Sequence, residues 1–151
     1  MKVNNAIDLN CTPEKVWYWL GDPERAVKWQ TNISKTEILN KTPDWVGTTY
    51  RERIEENGRG VEMQGVVTEY TENKLLGMHV SGKYNVVDVK WRIEEVGEKA
   101  RLTVDSDVRF KGFLWVLSLV IRPMFKKTLL RQMQTELENL KELCEQMGPK
   151  L

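Results

Sequence analysis

The sequence predicts an α+β domain in which a seven-stranded antiparallel sheet packs on one long C-terminal helix. Three observations predict it. Between residues 31 and 110 apolar side chains recur at every second position, divided by turn signals at Lys41 to Asp44, Asn57-Gly58-Arg59-Gly60, Thr71 to Asn73, Ser81-Gly82-Lys83 and Gly97-Glu98. After Gly112 the period becomes helical and stays so to about residue 147. No linker, internal repeat or low-complexity segment interrupts the 151 residues, so a single domain over 1–151 is expected. A chain of that length buries roughly 70% of the surface its unfolded form exposes, enough for a core without metal or disulfide staples.

Residues 3 to 10, with Val3, Ala6, Ile7 and Leu9 as apolar points, read as the first strand. A helix follows: Thr12 is an N-cap, Pro13 suits the first helical position, Glu14 complements the positive helix end, and Val16, Trp17 and Leu20 form the buried stripe before Gly21. Asp22-Pro23-Glu24 repeats that grammar and opens a second short helix through Ala26 and Val27 to Trp29. Six strands fit between the later turn signals. In residues 84 to 94, Val87, Val89, Trp91 and Ile93 face one way while Asp88, Lys90, Arg92 and Glu94 face the other. Leu102, Val104, Val108 and Phe110 repeat the pattern in the last strand. One-sided strands joined by short links indicate an antiparallel meander with one solvated face. In the final segment Phe113 to Ile121 is almost wholly apolar, Arg122-Pro123 marks a kink or break, and Met133, Leu137, Leu140, Cys144 and Met147 form a narrower stripe for packing on the sheet.

Composition removes several functions. The 23 Lys and Arg balance 22 Asp and Glu to a net charge of +1, whereas nucleic-acid binders carry a strong basic excess. His79, Cys11 and Cys144 are too few for a zinc site or a Cys-His nucleophile pair, so no metal or cofactor is expected. Phosphate-loop, dinucleotide-fold, nucleophile-elbow and H-E-x-x-H motifs are absent. The first residues lack the apolar core of a secretion signal, and the cysteines read as two reduced thiols, so a cytoplasmic location is expected. Six Trp, at 17, 19, 29, 45, 91 and 115, are the compositional excess, and such rings line apolar pockets and contact surfaces.

Thr12-Pro13-Glu14-Lys15-Val16-Trp17, Leu20-Gly21-Asp22-Pro23-Glu24-Arg25, Lys28-Trp29, Gly47, Val67-Thr68-Glu69-Tyr70 and Leu137-Glu138-Asn139-Leu140-Lys141 follow one another over essentially the whole chain. Their order and spacing resemble the polyketide cyclase/dehydrase and lipid-transport group of the SRPBCC (START-like, birch-pollen-allergen-like) superfamily. The resemblance implies a helix-grip fold, a curved sheet wrapped around the C-terminal helix with an apolar cavity between them for a lipid, polyketide or similar ligand. It implies no catalytic residue, because the superfamily shares no catalytic motif.

Strand parity places Tyr50, Glu52 and Ile54 on the same face as Val87, Val89 and Trp91, with Leu76, Met78 and Val80 from another strand. The candidate ligand-lining set is Trp29, Tyr50, Glu52, Met63, Met78, Val89, Trp91, Val104, Ser106, Phe110 and Trp115. Most would also serve as plain core. Tyr50, Glu52 and Ser106 are polar interruptions of apolar faces, the kind of group that orients a ligand. A buried Glu52 would have a raised pKa, which makes Glu52 and Tyr50 the candidates for proton handling. A small twist or bulge would instead leave Glu52 in water or paired with one of its Arg neighbours, Arg51 or Arg53. Met124 and Met133 join Met63 and Met78 as flexible linings, and His79 faces away.

Residues 108–135 hold Arg109, Lys111, Arg122, Lys126, Lys127 and Arg131 with no Asp or Glu, a local charge of +6 around the apolar run 113–121. That run is either a buried helix start closing the cavity mouth or a contact with an anionic membrane or a partner surface. Three functions remain open: binding or transport of a hydrophobic small molecule or lipid, a metal-free cyclase or dehydratase, and a protein-interaction module with a vestigial cavity. Cavity volume separates them, since a void of several hundred cubic ångströms favours the first two and a filled interior the third.

Overall fold

The computed structural model describes residues 1–56 and 58–146. Asn57 of the expected hairpin turn and Met147 of the helical stripe lie outside the described residues. Seven strands form one antiparallel sheet: β1 (Lys2–Leu9), β2 (Ile33–Asn40), β3 (Thr49–Glu56), β4 (Arg59–Thr71), β5 (Leu75–Ser81), β6 (Asn85–Val96) and β7 (Lys99–Phe110), in the order β1-β7-β6-β5-β4-β3-β2. Helix α1 (Pro13–Leu20) and a 3-10 helix (Pro23–Lys28) connect β1 to β2, and α2 (Phe113–Gln146) ends the chain. The expected order of elements is therefore present throughout, with the second short helix taking 3-10 form.

The local grammar acts as expected. Thr12 Oγ1 accepts from the Lys15 amide at 3.4 Å, and the Asp22 carboxylate accepts from the Glu24 amide at 3.0 Å. Consecutive strands pair as hairpins. Only β1 pairs out of sequence order, with β7, through a register that runs from Lys2 opposite Asp107 to Leu9 opposite Ala100. The meander registers align one inward row across five strands: Tyr50, Gly65, Val80, Val87 and Val108. Tyr50 is fully buried because its partner is a glycine. A Cβ at position 65 would lie 2.2 Å from the Tyr50 ring, so the phenol lies where any side chain would stand.

The core joins this face to α1 and to the second half of α2. Leu9, Val16, Trp29, Leu102, Leu137, Leu140 and Cys144 are buried together. Polar ties hold α2 down: the Asn5 amide donates to Gln134 Oε1 at 2.8 Å, the Asn10 backbone N–H donates to Glu145 at 3.0 Å, and Asn139 donates to the Trp29 carbonyl at 3.1 Å. Trp17 meets Tyr70 edge-on at 5.1 Å and Trp45 stacks on the same ring at 5.5 Å, so these two tryptophans pack at the sheet end.

Two open expectations about α2 narrow. The helix runs unbroken through Pro123, which removes only the hydrogen bond that the Leu119 carbonyl would have received. Its apolar start is not buried: Phe113 is 79% exposed and Val120 78%. The sheet face nearest that end, at Val87, Val89, Ser106 and Phe110, is correspondingly only half-buried, with Phe125 edge-on to Phe110 at 5.0 Å.

Candidate functional site

The 3-10 helix ends at Trp29 and delivers its ring to the inner face of the sheet. There it meets Trp91 of β6 edge-on at 5.3 Å, and its indole N–H donates to the Trp19 carbonyl at 3.0 Å. An enclosed cavity of about 20 Å³ lies beside this pair, lined by Leu20, Pro23, Ala26, Trp29, Gln30, Glu52, Met78 and Trp91. It is room for about one water-sized group.

Polar atoms converge on these apolar walls. Gln30 Oε1 and Trp91 Nε1 are buried without a partner among the described residues, as is Thr36 Oγ1, whose residue pairs with Glu52 across β2 and β3. Buried polar atoms are normally hydrogen-bonded, so the Gln30 and Trp91 atoms on this cavity wall stand out from the rest of the core. Tyr50 Oη donates to the Met78 sulfur at 3.1 Å, and burial raises the phenol well above its usual pKa.

Glu52 is the chemical centre of the site. Burial, reinforced by the negative charge of Glu136 on α2, pushes its carboxyl up to about 7, so that both protonation states are populated at neutral pH. Glu136 is itself raised by burial, an effect opposed by donation from Gln132 and from the Thr31 hydroxyl and amide, at 3.2, 3.0 and 3.2 Å. Such a group can donate or accept a proton or hydrogen bond without help from a metal. Among the described residues no cluster of three or more His, Cys, Asp or Glu is arranged to hold a metal ion.

The structure brings Trp29, Glu52, Met78 and Trp91 around one cavity, with Tyr50 bonded to Met78. Met63 is buried opposite Glu52, and Val104 is buried opposite Trp91. Val89, Ser106 and Phe110 lie further along the same face, toward the uncovered start of α2. Trp115 does not join them: it stands 55% exposed on that helix start, because this part of α2 rests on no strand closely enough to bury it. Met124 is likewise 75% exposed, whereas Met133 packs against the core. Two residues escaped sequence reasoning, Gln30 and Glu136. The signal for Glu136 was its spacing, three residues after Met133 and four before Leu140, which sets it on the buried stripe.

A larger depression of about 580 Å³ is lined by Lys2, Asn4, Glu69, Asp88, Lys90, Arg92, Asp105 and Asp107 of the outer face and also by the inner-face residues Val3, Met78, Val89 and Ser106. Its charges answer one another: Lys90 pairs with Glu69 at 3.0 Å, Arg92 with Asp105 at 2.6 Å, and Asp88 with both His79 and Arg109. The charged part of this surface does not suit an apolar ligand.

A seven-stranded antiparallel meander with a long closing helix is shared with solved structures of low sequence identity. The chain resembles a START superfamily protein from Mycobacterium smegmatis at 21% identity, with 97% of this chain and 99% of that one covered and a TM-score of 0.80. It also resembles the protein TTHA0849 from Thermus thermophilus, at 15% identity, 98% and 99% coverage and a TM-score of 0.82. The Zhui aromatase/cyclase from a Streptomyces species is similar at 14% identity, with 96% and 93% covered and a TM-score of 0.74. These likenesses establish the helix-grip fold. No curated protein is similar in sequence. The model of the family described as polyketide cyclase / dehydrase and lipid transport matches residues 1–145, and the chain belongs to that family.

Proposed function

We propose that the domain binds an apolar small molecule or lipid that carries one hydrogen-bonding end. The observation that supports this reading is the convergence of Glu52, Gln30 Oε1 and Trp91 Nε1 on one cavity with otherwise apolar walls. The indole N–H can only donate and the amide oxygen can only accept. A hydroxyl does both, so an alcohol or phenol group satisfies the two together while Glu52 offers either role. The apolar body of the ligand then lies along Met78, Val89, Val87 and Phe110, which are half-buried and lead to the uncovered start of α2. Transport follows from the same arrangement, because a cleft open along one side releases its cargo without unfolding.

A cyclase or dehydratase is the second reading, and the pKa of about 7 at Glu52 favours it. The small enclosed volume favours the third, a protein-interaction module. Native mass spectrometry of freshly purified protein tests the proposal: an apolar adduct released by organic solvent is expected. A protein at its bare mass, which also gains no adduct when offered long-chain alcohols and phenols, selects the interaction module. With a ligand in hand, Glu52→Gln separates the other two. Retained binding with lost turnover makes Glu52 catalytic, and no turnover in the wild type leaves a carrier.

A further inference from the structure

The first three turns of α2 carry a surface unlike the rest of the domain. Phe113, Trp115, Val116, Leu119, Val120 and Met124 are each more than half exposed. At 100° per residue these six positions lie within one half of the helix circumference, a continuous apolar face of the kind that rests on a planar interface. Phe113 to Ile121 extends only about 13.5 Å, less than half a hydrocarbon core, and no described helix is long and apolar enough to cross a membrane. The segment therefore suits an interface rather than a span.

Charge specifies the partner. Beyond the apolar turns come Arg122, Lys126, Lys127 and Arg131, all exposed, and no acidic residue occurs from 108 to 135. The other end of the patch is cationic too. Lys111 donates to the Gly82 carbonyl at 2.7 Å and thereby meets the β5–β6 hairpin, whose tip presents exposed Lys83 and Tyr84. An apolar, aromatic-bearing strip with cations at both ends matches the acyl and headgroup layers of an anionic bilayer.

We propose that the first three turns of α2, together with the tip of the β5–β6 hairpin, dock on anionic phospholipid bilayers, with the helix lying in the interfacial plane. The site rests on exposed side chains and charge alone, so it stands whether or not the interior binds a lipid-like ligand.

Co-sedimentation of the full chain with phosphatidylcholine vesicles, with and without phosphatidylserine, tests it. Binding is expected to the phosphatidylserine vesicles at low salt and to weaken as salt is added. Lys126→Gln/Lys127→Gln removes two cations worth about 1 kcal/mol each near such a surface, a loss of roughly thirtyfold in affinity. Val120→Glu is expected to abolish binding while leaving thermal unfolding unchanged, since its side chain is in solvent. The proposal is overturned by failure to sediment with anionic vesicles, by equal binding to neutral ones, or by wild-type affinity in both variants. A dimer that survives the vesicles and is broken by Val120→Glu would assign the patch to a second copy of the chain and also overturn it.

Discussion

Glu52 of β3 and Glu136 of α2 bring two carboxyl groups together, one from the sheet and one from the helix, and the negative charge of Glu136 makes Glu52 harder to ionise. This places a titration near neutrality inside an apolar wall.

That pair predicts how stability varies with pH. The folded pKa of Glu52, about 7, lies above its ordinary value of 4.5, so its favourable contribution is complete below pH 4.5 and lost as pH rises through 7. Burial raises Glu136 as well, which acts with the same sign. Wild-type protein is expected to lose on the order of 2–3 kcal/mol from this site between pH 4.5 and 8. Glu52→Gln should flatten that slope and be more stable than wild type at pH 8. Urea unfolding at both pH values measures it, and parallel slopes for the two proteins would remove Glu52 from the titration.

Gly65 predicts a coupling with Tyr50. A Cβ at residue 65 falls 2.2 Å from the phenol ring, so Gly65→Ala displaces the ring from its Met78 contact and should cost about 1–3 kcal/mol. In a Tyr50→Ala background the same change should cost much less. A double-mutant cycle by denaturant unfolding reads the difference, and additive effects would mean the close approach is not what makes glycine necessary.

The two halves of α2 should respond oppositely to substitution. Leu137→Ala empties a fully buried position and is expected to cost about 2–5 kcal/mol. Val120→Ser touches a side chain that is 78% exposed and should stay within about 0.5 kcal/mol of wild type. Thermal or chemical unfolding distinguishes them. A large loss at Val120 would show that the helix start is packed against protein in solution.

Cys11 and Cys144, far apart in sequence, are buried in one core where the chain after β1 meets α2, with the Cys144 thiol donating to the Lys15 carbonyl at 3.9 Å. Treatment with diamide is expected to join them: the two thiols lose two protons and two electrons to the oxidant and form one intramolecular bond. Constraining so long a loop should stabilise the fold by roughly 4–5 kcal/mol. Intact mass under non-reducing conditions and urea unfolding check both parts. Folded protein that resists oxidation would show the sulfurs aimed past one another.

Much of the fold was legible because sheet residues announce their face. Val87, Val89, Trp91 and Ile93 alternate with Asp88, Lys90, Arg92 and Glu94, and parity alone carried Tyr50 and Glu52 to the inner surface. Other features were less legible. Glu136 was legible only through its spacing from Met133 and Leu140, since an acidic side chain by itself reads as solvated. The run from Phe113 to Ile121 is apolar enough for a core, yet apolarity does not state whether anything stands opposite to receive it. Enclosed volume is a property of packing between elements, and no periodicity encodes it.

The pairing of β1 with β7 has a kinetic meaning. The first strand made is the one that waits longest: its hydrogen-bonding partner lies about a hundred residues downstream, after the rest of the meander. Hairpins β2 to β7 can form locally and early, whereas seating β1 on β7 closes the longest strand-to-strand loop among the described residues. During synthesis that strand has no edge to join until β7 emerges, so β1 and the helix that packs on it should be the last parts to gain protection from hydrogen exchange.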